Sequence, residues 1–278
     1  MIGSAARRLI INADDFGLSA GVTAGILEAH AVGTVTSTSM MVGCPGWQDA
    51  AEKGRAASSL GIGLHFNLLV GRPVTGARTL TDPRTGAFLS LGALVRHALA
   101  GRLSRDEVAA ECSAQLAVIR GAGIPVTHID SHRHTHALPC IRGAVAGVAA
   151  REALPLRRPV ESHRWFPNDL ASQVHRGLIG WSWRLTSVRA SATRAPEHFI
   201  GVSMQGGEHF DEQLTHVLDR LSEGTTELMV HPGRTDDDLR ATDGYTWQRE
   251  LELAALTSAP VRERLTRGHI ELISFGRL

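Results

Sequence analysis

Arg8-Leu9-Ile10-Ile11-Asn12-Ala13-Asp14-Asp15-Phe16-Gly17-Leu18-Ser19-Ala20 carries, in one pass, the unit from which the chain is built. The apolar run within Arg8–Asn12 reads as a buried strand. It ends at an acidic pair, and Ser19 then stands where a helix over Ala20–Ala31 wants a side-chain acceptor for its first free amides. The same sequence of strand, polar junction and helix recurs. Further strand candidates are Val35–Val42, Gly61–His65, Val126–Ile129, Leu156–Val160, Phe199–Met204, Glu227–Val230 and Ile270–Phe275, making eight in all. Helix candidates fall at Ser104–Gly121, Ile141–Glu152, Leu170–Arg184, Phe210–Ser222, Thr246–Leu256 and Pro260–Thr266. Ser104 with Glu107 has capping-box spacing, and Gly121 and Gly123 supply the stop. Alternation of this kind predicts an α/β chain with a parallel sheet, and a single domain over residues 1–278 is within the size of a (β/α) barrel.

Two stretches interrupt the pattern. Residues 71–92, with Pro73, Gly76, Pro83 and Gly86, read as a long loop of the functional or mobile kind. Residues 161–196 hold Trp165, Phe166, Trp181 and Trp183, and are expected to cap the barrel mouth, touch substrate or form a subunit interface.

Composition narrows the function classes. A hydrophobic fraction of 43% and a formal net charge of +1 describe a globular chain with no electrostatic reason to bind nucleic acid or an anionic membrane. The run Leu9-Ile10-Ile11 is too short for a signal segment or a membrane span, so the expected location is the cytoplasm. Cys44, Cys112 and Cys140 are widely spaced and odd in number, which indicates neither a disulfide framework nor a thiolate zinc site. Cys44 is expected to be a small buried hydrophobe.

The chemistry-bearing residues gather after the candidate strands. Asp14 and Asp15 follow the first, His65 the third, Asp130 to His136 the fourth, Glu161 and His163 the fifth, and His231 the seventh. Barrel enzymes build their active sites at that end of the sheet. The densest stretch, His128-Ile-Asp130-Ser-His132-Arg-His134-Thr-His136, packs four imidazoles and a carboxylate into nine residues. If extended, these would share one metal-binding face. Two adjacent carboxylates repel unless a cation or proton neutralises one, so a metal on one of the pair leaves the other poised as a base. His65, flanked by Leu64 and Phe66, is a core histidine or a ligand. His231, at the end of Leu228-Met229-Val230, is a strand-end histidine or a general acid facing the site. Asp236-Asp237-Asp238 reads as a solvated loop or the acidic start of a helix.

Taken together, Asn12-Ala-Asp14-Asp15-Phe16-Gly17, Gly63-Leu64-His65-Phe66-Asn67-Leu68, Thr127-His128-Ile129-Asp130-Ser131-His132 with His134 and His136, and Val230-His231-Pro232-Gly233 resemble the YdjC family of carbohydrate deacetylases, which includes chitooligosaccharide (chitin disaccharide) deacetylases. The tail from Tyr245 to Phe275, with Arg249-Glu250-Leu251, resembles the family ending. The resemblance implies a distorted, TIM-barrel-like (β/α) fold. It also implies one divalent metal ion, magnesium or zinc, held by Asp15, His65 and His132, with Asp14 as general base and His231 as general acid. Asp130, His134, His136 and Arg249 would then orient those groups or face the substrate. The implied reaction is hydrolysis of an N-acetyl group on an N-acetylglucosamine-containing oligosaccharide or glycoconjugate by a homodimeric enzyme. The segments at 71–92 and 161–196 do not match the family pattern, so the resemblance leaves substrate choice open.

Two other readings use the same residues. A dinuclear phosphoesterase or amidohydrolase would place two metals in the histidine cluster, although such barrels usually carry a His-x-His after the first strand, where this chain has Asp14-Asp15. A non-catalytic metal- or sugar-binding module has no use for a base beside a metal ligand.

Overall fold

Among the described residues, seven strands, β1 (Arg7–Phe16), β2 (Ser37–Met40), β3 (Gly61–Phe66), β4 (Val126–Ser131), β5 (His198–Ile200), β6 (Gly224–Val230) and β7 (Ile270–Leu272), pair in parallel, in the order β4-β3-β2-β1-β6-β5 with β7 against the start of β1. The computed structural model describes residues 7–161, 170–185, 193–205 and 208–278. The sheet curls into a half-barrel ringed by helices, as a distorted (β/α) barrel requires. These are α1 (Ala20–Ala31), α2 (Trp47–Ala56), α3 (Leu91–Leu99), α4 (Arg105–Gly121), α5 (Ile141–Arg151), α6 (Leu170–Leu185), α7 (Phe210–Asp219), α8 (Asp237–Thr242), α9 (Trp247–Thr257) and α10 (Ala259–Arg267). No helix among the described residues is long and apolar enough to cross a membrane.

Side chains alternate along each strand, so register decides which face is which. On β1, Leu9, Ile11 and Ala13 turn outward into the large cluster that includes Leu64 and Phe66 of β3, Ile129 of β4 and Leu228 and Val230 of β6. Ile10, Asn12 and Asp14 turn inward. Ile10 packs with Ile273 and Phe275, which plug the amino-terminal end of the interior. His128 stacks on Phe275 with ring centroids 3.9 Å apart, and burial lowers its imidazole to about 4, leaving it neutral. Gly63 makes room for this stack, since a Cβ there would lie 2.3 Å from the His128 ring. His128 is therefore a core residue.

Ser19 caps α1 by accepting from the Val22 amide, and Ser104 caps α4 by accepting from Glu107. The capping box at α4 is only half formed, because the Glu107 carboxylate turns to Thr79 instead of back to Ser104. Asp236 caps α8, so the acidic triplet is a helix start. Gly123, at φ +80, follows the end of α4. Cys44 is buried, and burial together with the Asp15 charge pushes its thiol up to about 12.

The structure corrects the sequence reading in three places. The expected strand Leu156–Val160 is reduced to one bridge between Leu156 and Ile129, because Pro155 and Pro159 cannot donate to a ladder. The first strand continues to Phe16, so Asp14 and Asp15 lie within it and not after it. His132–Ala137 forms a 3-10 segment with Arg133 and His134 at positive φ, so the histidines do not share an extended face. Residues 71–90 form the expected long loop, fastened to α4 and to itself: Glu111 accepts from Val74 and Thr75, Glu107 accepts from Thr79, and Thr81 bridges Phe88. Helices α2 and α3 were not expected. His163, Trp165 and Phe166 lie outside the described residues, whereas Trp181 and Trp183 fall on α6.

Candidate active site

Adjacent residues of a regular strand point to opposite faces, yet Asp14 and Asp15 open into one cavity. The register of β1 against β2 shifts between Ala13 and Phe16, and Asp15 takes a φ of +73. This bulge turns Asp15 back toward the interior, the use to which bulges beside active sites are commonly put.

Asp15 is the meeting point of three elements. Its Oδ1 lies 2.9 Å from His132 Nδ1, just past the end of β4, and 3.2 Å from His65 Nε2 on β3. Its Oδ2 accepts from Arg249 of α9 at 2.7 Å. Burial alone would raise its carboxyl, but Arg249 and His132 outweigh that and hold it well below the ordinary range. His65 gives Nδ1 to Asp130 at 2.7 Å, so its Nε2 is the nitrogen presented to the cavity. Burial works against a charged His65, but Asp130 and Asp14 overcome it and push the imidazole up to about 10. This corner of the molecule attracts positive charge. Donor atoms of Asp15, His65 and His132 all lie within 4.8 Å of one another, as do those of Asp14, His65 and Asp130.

Asp14 belongs to a second network beneath the first. Arg157 donates through Nη1 and Nη2 to its two oxygens at 2.6 and 2.7 Å, and Asn12 donates to Oδ1 at 2.8 Å. Burial would raise the Asp14 carboxyl, while Arg157 and His65 drive it far below the ordinary range and keep it ionised. Arg157 also meets Asp130 at 2.8 Å and Glu227 of β6 at 2.7 Å, and Ser39 joins Asp14 to Asp130.

His231 follows β6 and lines the cavity beside Tyr245 and Gln205. Its backbone amide donates to Glu252 Oε2 at 2.5 Å, and its Nδ1 is 4.0 Å from Glu252 Oε1, which accepts from Tyr245 at 2.6 Å. Burial raises the Glu252 carboxyl.

The structure thus brings Asp14, Asp15, His65, His132, His134, His231 and Arg249 to one cavity. Asp130 lies directly behind it. His136 sits deeper, with Nδ1 against Ser131 and Nε2 donating to the Arg157 carbonyl, and burial lowers it to about 4, so it is a neutral brace for the Arg157 backbone. Glu161 is turned away toward Ser203. Sequence reasoning missed Arg157, Glu227, Ser39 and Glu252. The available signal was the placement of charge within apolar strands: Glu227 heads Leu228-Met229-Val230, and Arg157 follows Leu156 in the failed strand.

The profile of the YdjC-like protein family matches residues 8–267. A carbohydrate deacetylase of Vibrio vulnificus is 32% identical over 274 residues, covering 98% of this chain and 96% of that protein. A chitooligosaccharide deacetylase of Yersinia enterocolitica is 35% identical over 262 residues, covering 92% and 93%. Among solved structures, a proposed cellobiose-phosphate cleavage protein of Enterococcus faecalis V583 superposes with a TM-score of 0.78 at 28% identity, covering 98% of this chain and 99% of that one. With the family profile matching nearly its whole length and relatives more than 30% identical across it, the chain belongs to the YdjC-like family.

Proposed function

We propose that this chain is a metal-dependent carbohydrate deacetylase that hydrolyses the N-acetyl group of an N-acetylglucosamine-containing oligosaccharide or glycoconjugate, releasing acetate and leaving a free amine. The observation that carries the reading is the bulge in β1, which sets one carboxylate against two imidazoles and holds its neighbour ionised in the same cavity. The names of the Vibrio and Yersinia relatives support it.

Asp15, His65 and His132 would hold one divalent ion, magnesium or zinc. The donor set fits: His65 is oriented by Asp130, and the buried carboxylates Asp14, Asp15, Asp130 and Glu227 outnumber the buried guanidiniums of Arg157 and Arg249. Bound there, the ion supplies polarisation of the acetamide carbonyl and acidification of water. Asp14 takes the proton of the attacking water, with Arg157 fixing the direction of its oxygens. His231 delivers a proton to the departing nitrogen, its backbone anchored by Glu252. Arg249 holds the outer oxygen of Asp15, and His134 lines the wall on which the sugar rests. The free thiols and the family resemblance support a cytoplasmic homodimer, which fractionation and light scattering would test.

The second donor group, Asp14, His65 and Asp130, favours the dinuclear reading. Against it, the Arg157 guanidinium is already bound to both aspartates and supplies the positive charge a second ion would bring. Metal analysis separates the two: one ion per chain fits the deacetylase, two the alternative. The functional test is acetate release from N-acetylated chitobiose and related glycans. Wild type is expected to be active and Asp14→Asn to lose about 10³-fold in kcat while keeping its metal. A metal-filled wild type that releases no acetate from any N-acetylated sugar contradicts the proposal.

A further inference from the structure

We infer that Glu227 is a positioning residue for the hydrolysis: from β6 it fixes the Arg157 guanidinium and, through it, the Asp14 carboxylate in the line of attack. The inference rests on the deacetylase reading of the site. Glu227 is absent from the cavity lining, so it acts on the reacting atoms only through Arg157.

Arg157 needs such a support. Its backbone lies in the failed strand, tied to the sheet by the bridge at Leu156 and its own amide bond to Ile129. Its Nη1 and Nη2 grip Asp14 on β1, and Nη2 also meets Asp130 on β4. A planar fork held by that edge alone can pivot, and a bond to Nε from another direction stops the rotation. Glu227 Oε1 supplies it at 2.7 Å. β6 is a rigid base for this purpose, paired at Glu227 with Ile10 of β1 on one side and Phe199 of β5 on the other.

The carboxylate is costly where it stands. Glu227 is buried, and among the described residues its Oε2 has no hydrogen-bond partner. Burial, opposed by Arg157 and reinforced by the charges of Asp130 and Asp14, pushes the carboxyl up to about 7. An apolar residue of similar volume would pack the same space without that penalty, so a purely structural role does not account for an acid here. A fixed guanidinium does.

The test compares Glu227→Leu, which removes the acceptor, with Glu227→Gln, which keeps an oxygen for the Arg157 Nε–H. In Glu227→Leu, kcat on N-acetylated chitobiose should fall by about 100-fold, with KM and metal content within about twofold of wild type. Glu227→Gln should recover at least ~10-fold of that loss. In an Asp14→Asn background, Glu227→Leu should cost less than about twofold more, because both changes act on one step. Independently of activity, the Arg157 Nε–H resonance in a ¹H–¹⁵N spectrum should be protected from solvent exchange in wild type and Glu227→Gln and unprotected in Glu227→Leu. If the leucine variant does not fold, Glu227→Asp replaces it, since its acceptor falls about 1.5 Å short and should reproduce the kcat loss. The inference is overturned if the leucine or aspartate variant stays within about threefold of wild type, if the loss falls on KM or metal content, or if the Arg157 signal is equally protected in every variant. A wild type that releases no acetate defeats the deacetylase reading, and the Arg157 signal then still decides whether Glu227 holds the guanidinium.

Discussion

The two faces of the sheet are made from the same strands and obey opposite rules. Outward, Leu9, Ile11, Ala13, Leu64, Ile129 and Leu228 form a continuous apolar core under the helices. Inward, the alternate positions Asn12, Asp14, Ser39, His65, Asp130 and Glu227 form a buried polar interior closed at one end by Phe275. Burial of apolar area stabilises the outer face through shape and volume. The inner face gains nothing from area and holds together only while each charge has its partner. The fold therefore rests on one face of each strand and the proposed chemistry on the other, and the two should fail differently when damaged.

Arg157→Met is expected to break the inner face most severely. It leaves Asp14, Asp130 and Glu227 buried without their shared cation, and urea unfolding should show a loss of about 3–5 kcal/mol together with lost acetate release. A stability change under ~1 kcal/mol would mean that the interior charges are not interdependent. Leu228→Ala, on the opposite face of β6, should cost about 2–4 kcal/mol yet leave kcat per folded molecule unchanged. A tenfold fall in kcat there would show that the faces are coupled.

Gly63→Ala probes the seam between the two, where a methyl group meets the His128 ring and forces it off Phe275. The expected cost is about 1–3 kcal/mol with little change in KM. The smallest effect concerns pH. Glu227 has its folded carboxyl raised from 4.5 to about 7, so the folded state holds that proton more tightly than the unfolded chain does. The stability it lends is present below pH 4.5 and is lost as pH rises toward 7. Glu227→Gln removes this dependence, so its melting temperature relative to wild type should climb by a few degrees across that window. A constant difference would show that Glu227 does not titrate there.

The outer face was legible in the sequence because apolar alternation reports it directly. The strand runs, the Ser19 cap and the placement of His65 and His231 at strand ends all emerge from local pattern. The inner face was legible only where a residue type is rare in packing, as with the paired aspartates and the histidine cluster. What converges on them from afar left no local trace. Arg157 reaches Asp14 across 143 positions of sequence and Arg249 reaches Asp15 across 234. The bulge that brings Asp14 and Asp15 into one cavity depends on the β1 register with β2. The histidine cluster was overread for a related reason: positive φ at Arg133 and His134 breaks the two-residue period on which a shared face depended.

The central claim is that the inward face is a single-metal hydrolytic centre worked by Asp14. Its most direct test is acetate released from N-acetylated chitobiose by metal-loaded wild type and by metal-loaded Asp14→Asn. The account predicts steady turnover by the first and about 10³-fold less by the second at the same metal content. Equal rates from the two proteins, or no acetate from a wild type whose metal site is filled, would contradict it.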